Sequence, residues 1–453
     1  MISEFISQFA DLVCGYPLFI LLIGGGAFLF CYSGAISLRH FHDGIMALVK
    51  RSSNNGKGQI SPFQALMSEI SSTVGMGNIA GVAVALTMGG AGAIFWMWVS
   101  AVVGMATKFF EGTLAVMYKG KDNRGEVQGG PMYVMMATLG RYGRPMALFF
   151  ACFALIGTLC FMQANQLVEA FTTVVTDPLG IENTLTLRFV MGTVICALVG
   201  FVILGGIERI SKIASKIVPM MVSLYFILVL IICILHFADL PAAFASIFRQ
   251  AFSLEAGVGG LVGTAVIGAR RAAYINEAGV GTASLMHGAS RNPYPVKEGL
   301  VAMLGPAIDS GLVCTLTALP ILLSGDYLHS EGIKGVHIAL SSFGKLLPGC
   351  GEVLLLVIVM FFAFSTMFSY SYYGLKCTNF LFGAQNTRYY NYFYLAMIIV
   401  AAMVPLSTAV SVMDISFAFM ALPNMIMLLV LAPRVKRAAT EYFASRKPTA
   451  GKE

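Results

Sequence analysis

Two stretches of this 453-residue chain place glycine and small polar residues inside apolar runs. The first is Ser71-Ser72-Thr73-Val74-Gly75-Met76-Gly77-Asn78. The second is Gly257-Val258-Gly259-Gly260-Leu261-Val262-Gly263-Thr264, with Gly268 beyond it. Glycine in such a place either lets helices pack closely or marks a helix that unwinds in mid-membrane. An unwound helix exposes N–H groups that attract an anion such as a carboxylate. It also frees carbonyls that suit a small hard cation. Asn78 adds a side-chain carbonyl. A buried asparagine is costly without a partner, so it bonds either a neighbouring helix or an ion.

Ser365 and Thr366 follow Phe361-Phe362-Ala363-Phe364 in another apolar run. Adjacent hydroxyls there usually bond back to i−4 carbonyls. Beside an unwound segment they also make a sodium site of hydroxyls and carbonyls. Gln163, Asn165 and Gln166 sit in a third run. Gln163 shares a face with Gln166 and not with Asn165, and the glutamines either join helices or face a substrate. Lys108 and Glu111 are spaced to pair. Arg270, Arg271 and Glu277 read as an inner-gate network, and Asp309 leaves a proton or cation role open. Trp96 and Trp98 read as an interfacial anchor, and residues 335–347 as a short amphipathic outer helix.

These residues need a membrane around them. Hydrophobic residues make up 57% of the chain and charged residues 11%, against about 25% charged in soluble domains. That excludes an ordinary soluble enzyme, a disordered chain and a nucleic-acid binder. Eleven runs reach the roughly 20 residues of a spanning helix: 17–38, 63–88, 92–118, 146–170, 185–204, 214–236, 256–290, 296–324, 350–380, 389–408 and 412–433. The first lacks Lys or Arg before Arg39 and reads as a retained helix rather than a signal peptide. Lysine and arginine gather on alternate connections, at Arg39 to Lys57, Lys119 to Arg144, Arg209 to Lys216, Arg291 and Lys297, Lys376 and Arg388, and the tail from Arg434. Positive residues stay inside, which predicts the N-terminus outside and the C-terminus in the cytoplasm. The net charge of +7 thus needs no nucleic acid.

Setting the first helix aside leaves two sets of five. An odd number per set means the halves are inverted in the membrane. The expected layout is residues 1–61 as an extra helix and cytoplasmic loop, 62–237 as the first repeat, 250–433 as the second, and 434–453 as a basic cytoplasmic tail. Gly-interrupted segments opening both halves are the sequence pointer to a transporter site.

Together STVGMGNIAGVA (72–83), GGAGAIFWMWVSAVVGMATKF (89–109), QGGPMY (128–133), NEAGVGTA (276–283) and FAFSTMFSYSYYG (362–374) resemble the alanine/glycine:cation symporters, also called sodium:alanine symporters, over nearly the whole chain. The resemblance implies an all-α LeuT-like fold, a 5+5 inverted repeat preceded by one extra helix. It implies a secondary-active, sodium-coupled importer of a small neutral amino acid in the inner membrane, working by alternating access as a monomer. It implies no enzyme activity and no organic cofactor. The implied substrate pocket is Gly75, Met76, Gly77, Asn78, Gln163, Thr264, Gly268 and Tyr370. The implied sodium ligands are Ser71, Thr73, Val74, Asn78, Phe362, Ser365 and Thr366. Tyr370 stands where the family generally has tryptophan, Leu375 where a glutamate follows YYG, and Gly305-Pro306 where a glutamate precedes the aspartate. Proton coupling, or another amino acid such as glutamine, stays open. An intramembrane protease would need a spaced Ser and His, and a channel a filter motif; neither stands out.

Overall fold

The computed structural model describes residues 9, 13–49, 56, 58–253, 257–328 and 335–445. Glu4, Asp11, Lys50, Arg51, Lys57, His329, Lys334, Arg446, Lys447 and Lys452 lie outside the described residues. The described fold is helical, with a single two-stranded hairpin of β1 (Gly120–Lys121) and β2 (Val127–Gln128). Helix α1 (Tyr16–Tyr32) comes first. A left-handed Ala35 then breaks the predicted 17–38 run.

Helix α2 (Pro62–Thr73) starts at a capping box. Ser61 Oγ accepts the Gln64 N–H at 3.2 Å, and Gln64 Oε1 accepts the Ser61 N–H at 2.9 Å. Each bond satisfies an amide that the first turn leaves open, and Pro62 needs no such bond. The helix stops at Val74, whose ψ of 92° is extended. It resumes as α3 (Gly77–Gly89) after a bend of 53°. The expected first break is therefore at Val74–Met76.

Helix α4 (Gly92–Met117) follows. The 146–170 run is two helices, α5 (Gly143–Gly157) and α6 (Phe161–Phe171), parted by a left-handed Cys160. Next come α7 (Leu185–Ile203) and α8 (Gly206–Leu235). Helix α9 (Leu240–Ala251) occupies what the sequence reads as a loop. It carries Phe248 against Trp98 and Phe95. The Trp96 indole N–H donates to Ala251 O at 3.2 Å, and that of Trp98 to Thr315 Oγ1 at 2.8 Å. The tryptophans thus fasten helices together.

The second break is not where the glycines are. Helix α10 (Gly257–Asn276) runs unbroken through Gly263, Thr264 and Gly268. The chain unwinds at Glu277–Gly281, where Glu277, Gly279 and Gly281 have φ of 53°, 90° and 101°, and α11 (Thr282–His287) follows. Gly268 is a packing glycine, since a Cβ there would crowd Ala93 O and Trp96 Cβ of α4.

The remaining helices are α12 (Pro295–Ser324), α13 (Val336–Leu346), α14 (Gly351–Phe382), α15 (Thr387–Met403) and α16 (Leu406–Ala444). Much of the expected tail from 434 is thus helical. Helix α4 packs on α10 and the start of α12, α5 on α16, and α7 on α15. Helices α7 and α8 leave Phe189, Val194, Phe201, Ile227 and Ile234 exposed. A ring of large exposed apolar side chains is a lipid-facing surface rather than a water-facing one. Among the described residues seven helices are long and apolar enough to cross a membrane, and the bent α2–α3 pair makes eight. The chain is a polytopic membrane protein.

Candidate functional site

Both breaks face one cavity of about 710 Å³, inside the range of roughly 300–1,000 Å³ typical of small-molecule sites. The first break supplies Thr73, Gly75, Met76 and Gly77. The second supplies Ile275 and Glu277, α6 supplies Gln163 and Gln166, and α14 supplies Tyr370. The cavity continues past Thr87 to Met88, which is 63% exposed, and reaches Gly335. It is open on that side.

Gly75 marks the closest approach of the first break to α14. A Cβ there would overlap Thr366 Oγ1. Ser71 Oγ donates to Ser365 O at 2.7 Å, and Ser365 Oγ lies 3.4 Å from Ser71 O. Ser365 and Thr366 both donate to Phe362 O, each at 3.0 Å. Ser71, Phe362, Ser365 and Thr366 therefore converge, with Val74 at the adjoining end of α2. Each hydroxyl keeps a further lone pair, and Phe362 O becomes available when the Ser365 and Thr366 hydroxyls turn from it toward an ion. The set has the chemistry of a small hard cation's ligands without a formal charge. Among the described residues no three His, Cys, Asp or Glu form a metal cluster.

Asn78 takes both roles that its type allows. Its Oδ1 accepts the Gly75 N–H at 2.9 Å, which closes the unwound turn. Its Nδ2 donates to Asp309 Oδ1 and lies 3.5 Å from Cys314 Sγ on α12. Asn78 itself is fully buried behind the cavity wall. The other oxygen of Asp309, Oδ2, has no hydrogen-bond partner among the described residues.

Gln163 and Gln166 face the cavity together, while Asn165 turns away to donate to Val404 O at 2.5 Å. Among the described residues Gln163 Oε1 has no partner, and Gln166 Oε1 accepts the Val336 N–H at 3.3 Å. That bond sets α13 over the site. Tyr370 is buried, and its hydroxyl donates to Glu277 Oε1. The sequence leaves this pair unseen, because 93 positions separate the two residues. Thr264 and Gly268 do not line the cavity. Arg270 and Arg271 do, on the Met88 side of the second break.

Lys108 pairs with Glu69 of α2 rather than with Glu111. Glu69 Oε2 also meets His287 Nε2 at 2.7 Å, and His287 Nδ1 meets Glu298 Oε1 at 2.6 Å. Glu111 accepts the Gly279 N–H at 3.1 Å and Asn424 Nδ2 at 2.7 Å. Fully buried carboxylates persist only when they are paired in this way. The pairs join α2 and α11, the half-helices below each break, to α4 and α12.

The model of the sodium:alanine symporter family matches residues 1–453. A relative named sodium/alanine symporter AgcS, from Methanococcus maripaludis, is 35% identical over 96% of each chain. The Bacillus subtilis protein named probable sodium/glutamine symporter GlnT is 32% identical over 98% of this chain and 91% of its own. The putative sodium/proton-dependent alanine carrier protein YrbD of Bacillus subtilis is 36% identical over 82% of this chain and 77% of its own.

Proposed function

This chain belongs to the sodium:alanine symporter family, and we propose on that premise that it imports alanine or glycine with sodium by alternating access. The carrying observation is the joint placement of two helix breaks, at Val74–Met76 and Glu277–Gly281, around one cavity. The substrate carboxylate meets the N–H groups of Met76 and Gly77, at the start of α3 and its partial positive charge, while the Gly75 N–H stays on Asn78 Oδ1. Its ammonium meets Gln163 and freed carbonyls of the breaks. Met76 and Tyr370 wall the side chain. Sodium takes the carbonyls of Ser71, Val74 and Phe362 and the hydroxyls of Ser365 and Thr366, with Thr73 and Asn78 serving a second ion near the carboxylate.

In this reading α1 is the extra helix. It brings the spans to eleven together with the α10–α11 and α15 segments, in the LeuT-like 5+5 order. The N-terminus lies outside and the C-terminus in the cytoplasm of the inner membrane. The cavity then opens outward. Uptake of radiolabelled alanine into proteoliposomes, with and without a sodium gradient, tests the function. Uptake that ignores sodium and follows a proton gradient refutes the coupling. A second reading, glutamine as cargo, rests on the size of the cavity and on Arg270 and Arg271 in its wall. Glutamine outcompeting alanine in the same assay decides for it.

A further inference from the structure

A second, smaller cavity of about 130 Å³ lies where the β1–β2 hairpin meets the last turns of α14. It shares no lining residue with the transport cavity. Its volume is roughly ten times the 10–15 Å³ that one water needs. On the orientation proposed above this face is cytoplasmic.

Lys376 borders this cavity and is 3% exposed. Its ammonium can donate three hydrogen bonds. Among the described residues its acceptor is Gln128 Oε1, a neutral group, and its Nζ lies 5.0 Å from the Tyr372 ring centroid. Asp122, the nearby carboxylate, is already taken. Its oxygens accept from the Arg124 and Glu126 N–H groups at 2.9 and 3.0 Å, from Gln128 Nε2 at 2.7 Å and from Asn379 Nδ2 at 3.1 Å. Tyr372 and Asn379 line the same cavity, and among the described residues the buried Tyr372 hydroxyl and Asn379 Oδ1 have no partner. A buried ammonium whose direct acceptor is neutral, with its carboxylates Asp122 and Glu126 only at a distance, is costly. An unpaired donor and an unpaired acceptor beside it add to that cost.

We propose that this cavity binds a second molecule of small zwitterionic amino acid, delivered to the cytoplasm by the transport cycle. Its carboxylate meets Lys376 Nζ and the Tyr372 hydroxyl. Its ammonium meets Asn379 Oδ1, with the exposed Glu126 at the mouth. The assignment rests on the reading of the chain as an amino-acid symporter. The ligand touches the hairpin and α14 at once. Those two are already tied by Asn379 to Asp122, and the hairpin holds the turn after α14 through Asn123 Nδ2 to Gln385 Oε1 at 2.8 Å and the Ala384 N–H to Asn123 Oδ1 at 3.1 Å. A ligand bound across them favours the state that is closed on this face. A ligand that binds one state alone shifts the equilibrium by the factor 1 + [L]/Kd. Internal amino acid at nine times its Kd therefore slows import about tenfold.

The test is equilibrium binding of radiolabelled L-alanine to the full-length protein in sodium-free buffer, where the transport site is silent. Wild type binds about one equivalent, Lys376→Met binds none, and Asn78→Ala, altered at the first break, binds as wild type does. Lys376→Met keeps sodium-driven uptake into alanine-free vesicles and loses its tenfold inhibition by internal alanine. Tyr372→Phe, which removes one hydroxyl, weakens sodium-free binding about tenfold and serves if Lys376→Met misfolds. Sodium-free binding that survives Lys376→Met, or is lost in Asn78→Ala, overturns the proposal. So does a wild type that binds no alanine without sodium, its cavity then holding water only. A wild type that binds without sodium but shows no sodium-driven uptake refutes the transport reading instead.

Discussion

Gly75 and Thr366 give a test in which stability and ion binding separate. A methyl on Gly75 would overlap Thr366 Oγ1, and Thr366 is held by its bond to Phe362 O. The methyl has no empty space to enter, so Gly75→Ala is an overpacking change costing about 1–3 kcal/mol. Thr366→Ala removes the obstructing oxygen. The double variant should therefore recover most of the stability lost in Gly75→Ala, a coupling of about 0.5–3 kcal/mol between touching residues. Sodium binding behaves otherwise. If Thr366 Oγ1 is an ion ligand, its loss costs about 1.5–3 kcal/mol, as for other contacts to a charge. Half-saturation by sodium then rises roughly ten- to hundredfold, and the double variant stays as weak as Thr366→Ala. Thr366→Ser keeps the hydroxyl and should remain near wild type. The assays are thermal unfolding of the purified protein and sodium titration of alanine uptake in proteoliposomes. Wild-type sodium dependence in Thr366→Ala, at equal expression, would show that the ion sits elsewhere.

Tyr370→Trp removes the bond to Glu277 and is expected to reorder amino-acid substrates while sodium dependence stays intact; an unchanged ranking would place Tyr370 outside the pocket. A site that bonds a hydroxyl discriminates more strongly than an apolar wall. Gly268→Ala pushes a methyl into Ala93 O and Trp96 and should cost stability, about 1–3 kcal/mol, with the alanine half-saturation unchanged. Weaker alanine binding at full stability would restore Gly268 to the substrate set. Alaninamide and N-acetylalanine should fail to compete with alanine, and equal competition by the amide would contradict the contact between carboxylate and N–H groups. Burial opposes the charge of Asp122, but the bonds from Asn379, Arg124, Gln128 and Glu126 outweigh it and hold its carboxyl below the ordinary aspartate value of about 3.9. A depressed value stabilises the fold above the unfolded pKa and is lost as pH falls through the folded one. Proteolysis of the hairpin should therefore rise below about pH 4 in wild type and be raised already at neutral pH in Asp122→Asn; a pH-independent digestion pattern would remove the carboxylate from the argument.

The apolar runs were readable because lipid imposes a length on each of them, and the bounds of α4, α7 and α14 differ from expectation by only one or two residues. The first break was readable because glycine, a hydroxyl run and asparagine coincide at 71–78. The second was misplaced for a physical reason. Glycine at Gly268 marks close approach, a packing need that leaves the helix intact, whereas the true break carries a left-handed Glu277 that composition cannot announce. Gly279 and Gly281 stood in the quoted NEAGVGTA stretch, and their spacing was the available signal. Charges posed the same difficulty. Lys108 and Glu111 satisfy the local spacing rule, yet Lys108 finds Glu69, 39 positions away, because α2 packs beside α4. Local pairing wins on an isolated helix, where it is worth only about 0.2–0.5 kcal/mol. A buried charge that can reach a full partner has several kcal/mol at stake, so tertiary contact decides.

The buried pairs also bear on how two breaks could act as one device. Glu69 lies one helical turn before Thr73 on α2, and His287 closes α11, so their contact ties the half-helices below both breaks to each other. Lys108 and Glu298 hold that pair to α4 and α12. Above the breaks α3 holds no charged residue to pair with α10, and the cavity lies between the two helices. On the orientation proposed above, a paired floor with the cavity over it fits an outward-open carrier, in which closure moves α3, α10 and α13 over that floor. Gln166 is placed to couple that movement to the cargo, because one side chain borders the cavity and holds the first residue of α13. The cargo thereby has a direct route to the element that would close over it, through contacts made in the occupied site rather than through strain transmitted along the bundle.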